Sequence, residues 1–273
     1  MDKKRLDVHM VEASLAPSRE RARAMIMAGE VFVNGQKAEK AGMEVRPDDV
    51  VTIQEDPIPF VSRGGLKLDK ALKVFPLTLK DKVCLDVGAS TGGFTDCMLQ
   101  NGAKHVTALD VGYGQLDWKL RNDHRVTVME RRNARYMEPA WFDGLFDFAS
   151  IDVSFISLKL ILPPLKACLK PDGQVVALIK PQFEAGRGQV GKNGVVREAS
   201  IHNDVCINII RFAQQSGYSV EDLSFSPITG PKGNIEFLLF LRNEGETRPV
   251  EVDAWAEKTA RIVSDGHKFH INC

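Results

Sequence analysis

Several features that would send this chain elsewhere are missing from it. No run approaches the roughly 18 uninterrupted apolar residues of a membrane-spanning helix, and Met1-Asp2-Lys3-Lys4-Arg5 leads into no apolar leader segment. A secreted or membrane-embedded protein is not the expectation. Cysteine is sparse: Cys84, Cys97, Cys168, Cys206 and Cys273 make five, an odd number, scattered and without a C-x-x-C pair. That argues against a disulfide framework or a structural metal site and fits reduced thiols in the cytoplasm. Net charge is missing too, because 36 Lys and Arg balance 36 Asp and Glu. A nucleic-acid partner would therefore have to meet a local patch and not the field of the whole chain. Low-complexity tracts are few, and 44% hydrophobic with 26% charged residues over 273 excludes a wholly disordered chain. The length suits one large domain, or a large one with a small one.

The chain divides on its patterning. In residues 1–56, Ser18 is a suitable N-cap for a helix carrying Ala22, Met25 and Ile26, and Gly29 a suitable stop. Val31-Phe32-Val33 followed by Asn34-Gly35 signals a tight hairpin, and Val50 to Ile53 adds a strand. These imply a small α+β domain of paired helices and a short sheet. Residues 57–61, with Pro57 and Pro59, read as a stiff connector. From Ser62 short apolar runs alternate with helical lengths: 83–87, 106–109, 126–129, 146–151 and 175–179. This is the pattern of an α/β domain with a buried parallel sheet. Two runs near the end, 218–226 and 234–241, have no helix between them and predict an antiparallel pair at one sheet edge. Residues 252–263 predict an amphipathic covering helix, and 265–273 a tail.

The first strand of the alternating region runs into Asp86-Val87-Gly88-Ala89-Ser90-Thr91-Gly92-Gly93-Phe94. Glycines there let backbone approach a ligand and let the next helix begin tightly. The second strand ends at Asp110, where a carboxylate can accept from two ribose hydroxyls. Together they point to a nucleoside-containing ligand, although the spacing departs from the G-x-G-x-x-G of dinucleotide sites.

Asp-x-Gly-Ala-x-x-Gly-Gly-Phe resembles the S-adenosylmethionine loop of FtsJ-like ribose 2'-O-methyltransferases. Arg5-Leu6-Asp7, Ser18-Arg19, Gly29, Val31, Val33-Asn34-Gly35 and Asp49-Val50 resemble an S4-type RNA-binding domain. With Ser62-Arg63-Gly64-Gly65-x-Lys67-Leu68 they make the chain similar to the TlyA family of ribosomal RNA methyltransferases, often labelled hemolysin A, over about residues 5–242. The resemblance implies a Rossmann-like methyltransferase domain over 62–264 with an antiparallel terminal strand, an S4-type domain before it, S-adenosyl-L-methionine as cofactor, and ribosomal RNA or ribosomal subunits as partner. It also implies cytidine as the target.

The same resemblance carries a Lys-Asp-Lys-Glu tetrad onto Lys67, Asp152, Lys180 and Glu236. Methyl transfer to a ribose hydroxyl needs that weak nucleophile oriented and its proton removed. Lys180 would receive or steer the proton, Asp152 and Glu236 would position the lysines, and Lys67 would depress the proton affinity of Lys180. Topology independently favours convergence, since Asp152 and Lys180 end parallel strands, where α/β sheets bind ligands. For the cofactor, Gly88, Ala89, Gly92 and Gly93 would pack against its amino-acid end with Asp86 near the ammonium, Asp110 would hold the ribose, and Asn133 would meet the adenine edge.

RNA contacts are expected from Lys4, Arg5, Arg19 and Arg23 in the small domain, and from Arg63, Arg187, Lys192 and Arg197 in the large one. Gly186 to Asn193 fits G-x-x-x-x-G-K but lacks the Ser or Thr of a phosphate loop, and reads as a mobile basic lid or a plain disordered loop. His267-x-x-His270-x-x-Cys273 offers metal-capable side chains on a chain terminus, a poor site, so no metal is expected. The sequence sets no oligomeric state. Two other readings stay open: a non-catalytic RNA-binding ribosome assembly factor, and a cytolysin.

Overall fold

A computed structural model describes residues 3–53, 58–186, 188–244 and 252–271. The chain forms two compact units, Met1–Ile58 and Pro59–Cys273.

The first unit runs β1 (Lys4–Arg5), α1 (Leu6–Glu12), α2 (Arg19–Ala28), β2 (Val31–Val33), β3 (Gln36–Lys37), β4 (Glu44–Val45) and β5 (Val51–Ile53). Ser18 caps α2 by accepting from the Arg21 amide, and Gly29 ends it in the left-handed region at φ 77°. Asn34 and Gly35 turn the chain at φ 52° and 79°, the pair of positive angles a tight hairpin requires. Leu6 and Met10 of α1 meet Ala22, Met25 and Ile26 of α2 and the inward Val31 and Val33 in one small core.

The second unit begins with α3 (Gly65–Val74), β6 (Val83–Val87), α4 (Gly93–Gln100), β7 (His105–Leu109), α5 (Trp118–Arg121), β8 (Val126–Met129) and β9 (Phe146–Ile151). It continues with α6 (Leu162–Ala167), β10 (Leu169–Ile179), α7 (Pro181–Glu184), α8 (Ala199–Gln215), β11 (Tyr218–Phe225), β12 (Phe237–Asn243) and α9 (Val252–Ile271). Seven strands form a sheet in the order β11-β12-β10-β9-β6-β7-β8. Strands β10, β9, β6, β7 and β8 are parallel, and β12 is antiparallel to both β10 and β11. Leu85, Ile151, Ala177 and Leu239 face a core shared with Ile209 and Ile210 of α8 and Val263 of α9. On the other face α3 lies beside α4, and Phe75 stacks on Phe240 with centroids 5.3 Å apart.

Three boundaries differ from the sequence reading. Residues 59–61 are not free connector: Phe60 is buried against Gly65, and the Val61 amide donates to Asp96 Oδ2 at 2.8 Å. The last strand starts at Phe237 and not at Asn234, because the Asn234 side chain is engaged with Val196 and Gly194. The expected tail from 265 is helical to Ile271. Gly266 lets the helix approach Phe225, while His267 bonds His202 and His270 bonds the Ser226 carbonyl. Among the described residues no group of side chains could hold a metal; Cys273 lies outside them.

Candidate active site

Four elements deliver one charge each to a single spot. Lys67 comes from the first turns of α3, Asp152 from the end of β9, Lys180 from the end of β10, and Glu236 from the residue before β12. Because β12 runs antiparallel to β10, Phe237 pairs with Ile179, and Glu236 therefore emerges at the edge where Lys180 does. Lys67 Nζ donates to Glu236 Oε2 at 2.7 Å and lies 3.6 Å from Asp152 Oδ2. Lys180 Nζ is 2.5 Å from Asp152 Oδ1 and donates to Ser154 Oγ at 3.0 Å. Asp152 thus bridges the two ammonium groups, and the four form one electroneutral cluster.

Burial sets the stakes of this arrangement. Lys67 and Lys180 are each 7% exposed and Glu236 only 1%, so each charge depends on its partner. Burial opposes the Lys67 charge, but Asp152 and Glu236 outweigh it and hold the ammonium above the ordinary lysine value. Burial likewise favours protonated Asp152, yet the two lysines keep its carboxyl below the ordinary range. Lys67 is therefore a permanent cation clamped by two carboxylates.

The cluster lines a cavity of about 540 Å³ with Gly88, Ala89, Gly93, Gln182, Phe155 and Phe183 among its walls. A second cavity of about 310 Å³ shares Gly88, Ser90, Asp152, Ser154 and Phe155 with it and extends to Asp110 and Asn133. Gly88 sits where they meet: its φ is 85°, and a Cβ there would lie 2.7 Å from the Asp152 carbonyl oxygen. Gly93 lets α3 and α4 start side by side, since its Cβ would lie 2.4 Å from Ser62 Oγ and 2.7 Å from the Gly65 nitrogen. Asp110 accepts from the Ser90 amide on one oxygen and the Gly112 amide on the other, at 2.8 and 2.6 Å. The exposed Asn133 accepts from the Arg135 amide.

Two expected cofactor contacts fall elsewhere. Asp86 is fully buried below the cavity and does not line it; Thr95 and Ser150 donate to its two oxygens at 2.7 and 3.0 Å. Burial lifts its carboxyl to about 6. Gly92 lines neither cavity; it faces Leu116 and Leu120 at the start of α4. Sequence reading passed over Ser154, Phe155, Gln182 and Phe183, although the loop after a strand-ending Asp and the residues after Lys180-Pro181 were places to look. Phe155 is 91% exposed with φ 64°, and its ring lies 5.0 Å from that of Phe183.

Of the expected RNA contacts, Arg5, Arg19 and Arg23 converge on Asp7, which is wholly buried while the three guanidiniums remain about half exposed. Their hydrogen bonds, that of Arg5 foremost, hold Asp7 well below the carboxylate range despite its burial. The cluster keeps an excess of positive charge at the surface. Lys4 pairs with Glu12 at 2.7 Å. Arg63, Lys192 and Arg197 are exposed, and Arg187 lies outside the described residues. The segment read as a mobile lid is followed directly by an anchored stretch, where Asn234 accepts from the Val196 amide and donates to the Gly194 carbonyl, both at 3.0 Å.

Comparison with known proteins agrees with this architecture. The FtsJ-like methyltransferase family matches residues 60–243 and the S4 domain residues 4–51. The Bacillus subtilis protein YqxC is 54% identical over 267 residues, covering 97% of this chain and 95% of its own. The 16S/23S rRNA (cytidine-2'-O)-methyltransferase TlyA of Mycobacterium tuberculosis is 42% identical over 263 residues, covering 96% and 98%. A solved structure of a hemolysin-named protein from Streptococcus thermophilus matches with a TM-score of 0.80 at 49% identity, covering 100% of this chain and 98% of that one. The chain belongs to the TlyA family, an FtsJ-like methyltransferase domain preceded by an S4 domain.

Proposed function

We propose that the protein methylates a ribose 2'-hydroxyl of ribosomal RNA, cytidine being the target, with S-adenosyl-L-methionine as donor. The observation that carries this is the Lys67–Glu236 and Asp152–Lys180 cluster opening onto a cavity that joins a second one at Gly88. The second cavity fits the donor: bare backbone at Gly88 allows close approach, and each Asp110 oxygen keeps a lone pair for a ribose hydroxyl after accepting one amide. Asn133 retains its amide N–H groups for a ring nitrogen. Bound there, the donor supplies an electrophilic methyl carbon.

The remaining work belongs to side chains of this protein. Lys67, held charged by two carboxylates, fixes Glu236 and one oxygen of Asp152. Asp152 then orients Lys180, whose Nζ also reaches Ser154 in the cavity wall. Lys180 first gives up its own proton to solvent and then, as a neutral amine, steers or accepts the proton leaving the ribose hydroxyl; proton transfer of this kind contributes roughly a hundredfold or more. The aromatic lip of Phe155 and Phe183 offers a flat face to an unstacked base. Arg5, Arg19 and Arg23 suit RNA phosphates, which position an enzyme without specifying sequence.

A non-catalytic assembly role has no use for four charges, three of them buried, gathered around a cavity. No observation favours the cytolysin reading, and none of the described helices is long and apolar enough to cross a membrane. The test is to incubate ribosomal RNA and subunits with the protein and labelled donor and to map 2'-O-methyl positions. Methylation at one or a few cytidines, lost in Lys180→Ala and in Lys180→Arg, which keeps the charge but cannot take up a proton, is expected. Full methylation by Lys180→Ala would sink the assignment.

A further inference from the structure

Gln182 lies two residues beyond Lys180, at the start of α7, and lines the same cavity as the charged cluster. The other carboxamide of that cavity, Asn234, is engaged at both ends by the Val196 amide and the Gly194 carbonyl. The Gln182 amide has no such employment: its Oε1 is sealed from solvent without any hydrogen-bond partner. A buried amide oxygen left unbonded is uncommon because its desolvation goes uncompensated. Beside it, the Phe183 ring forms the lip of the cavity with the 91% exposed Phe155.

Three kinds of group therefore surround one space of about 540 Å³: an aromatic face, an unsatisfied carboxamide, and the ammonium–carboxylate cluster. A nucleoside carries their counterparts in a flat ring, an edge of alternating donors and acceptors, and a ribose hydroxyl. On its Watson–Crick edge cytosine presents an N4–H donor beside an N3 acceptor, the complement of an amide oxygen beside an amide N–H. Turned about its terminal torsion, the carboxamide brings Oε1 to the cavity side, where such a base gives it the bond it lacks in the buried position.

The geometry points to Gln182 as the specificity residue that holds the Watson–Crick edge of the base whose ribose is methylated. This rests on the proposed function above. The Gln182 amide takes one bond from N4–H and gives one to N3, so the target ribose is held by its own base while Lys180 meets its hydroxyl.

The test is a cycle between protein and substrate. Gln182→Met keeps the length of the side chain and removes both hydrogen-bonding groups. RNA carrying the mapped target cytidine, and the same RNA with an abasic ribose at that position, are methylated by wild type and variant under single-turnover conditions. Two lost hydrogen bonds should lower kcat/KM of Gln182→Met by roughly tenfold to a hundredfold on the natural RNA. On the abasic RNA the two proteins should react equally, and their affinity for S-adenosylmethionine should match. Equal losses on both RNAs, or no loss on either, would overturn the assignment. A measurement that needs no variant accompanies it: wild type acting on RNA with pyridin-2-one at the target, which lacks both N4–H and N3, should lose a similar factor, and full activity there refutes the contact. Absence of any methylation by wild type defeats the proposed function and this inference with it.

Discussion

Replacing Lys67 by methionine strands Glu236, a carboxylate 1% exposed whose ion-pair partner among the described residues is Lys67 at 2.7 Å. At an effective dielectric near 20 the attraction lost is about 6 kcal/mol. Desolvation already offsets part of it, so the net cost of breaking such a buried pair is about 3 to 5 kcal/mol. Glu236→Gln is milder, because Lys67 still has Asp152 at 3.6 Å, and should cost about 1 to 3 kcal/mol. The double variant Lys67→Met/Glu236→Gln leaves no stranded charge at that position. It should be more stable than Lys67→Met alone, giving a coupling of about 2 kcal/mol between the two sites. All three tryptophans, Trp118, Trp141 and Trp255, lie in the second unit, so urea melts followed by fluorescence read this unit without interference from the S4 domain. Methylation should stay lost in the double variant even as stability returns, because Asp152 then lacks its second cation. Costs that simply add would refute the claim that the cluster behaves as one neutral unit.

Gly88→Ala forces a Cβ to within 2.7 Å of the Asp152 carbonyl at a φ of 85°; strain of about 1 to 3 kcal/mol at the junction of the cavities should weaken S-adenosylmethionine binding at least about tenfold by calorimetry, and unchanged binding would contradict the close-approach argument. Two buried groups should tilt stability in opposite directions across pH 4 to 6.5. Burial raises Asp86 from 3.8 to about 6, so the native state holds the extra proton in that window and stability falls as pH rises, by about 3 kcal/mol. Burial, with His267 opposite, lowers His202 from 6.5 to about 4, so the unfolded chain holds the extra proton and stability falls as pH drops, by about 3 kcal/mol. Asp86→Asn should therefore lose stability on acidification more steeply than the parent, and His202→Gln on alkalinisation; parallel urea profiles for all three would contradict both assignments.

What could be read from the residues in order was what local chemistry decides. Apolar runs ending in Asp152 and Lys180 announced buried strands with charged tips, and Asn34-Gly35 announced its turn. What could not be read was which way a side chain at a strand end faces. Asp86 and Asp152 both belong to apolar strands one step apart in the sheet, yet Asp86 turns under the sheet to the hydroxyls of Thr95 and Ser150 while Asp152 continues past the strand into the cavity. Two hydroxyls, one of them 64 residues away in sequence, decide this. Gly266 shows the same ambiguity from the other side: glycine stops a helix exposed to water, but here Phe225 lies where a Cβ would go, and imidazole bonds to His202 and Ser226 carry α9 onward. The antiparallel return of β12 has the largest consequence. A parallel last strand would start at the far end of the sheet from Lys180, leaving Lys67 without Glu236, and Lys67 would then be held by Asp152 alone in competition with Lys180. The reversed strand separates the two demands, giving each lysine a carboxylate of its own side while Asp152 ties them together. Under the proposed function, the direction of β12 beside β10 therefore matters to catalysis as much as to topology.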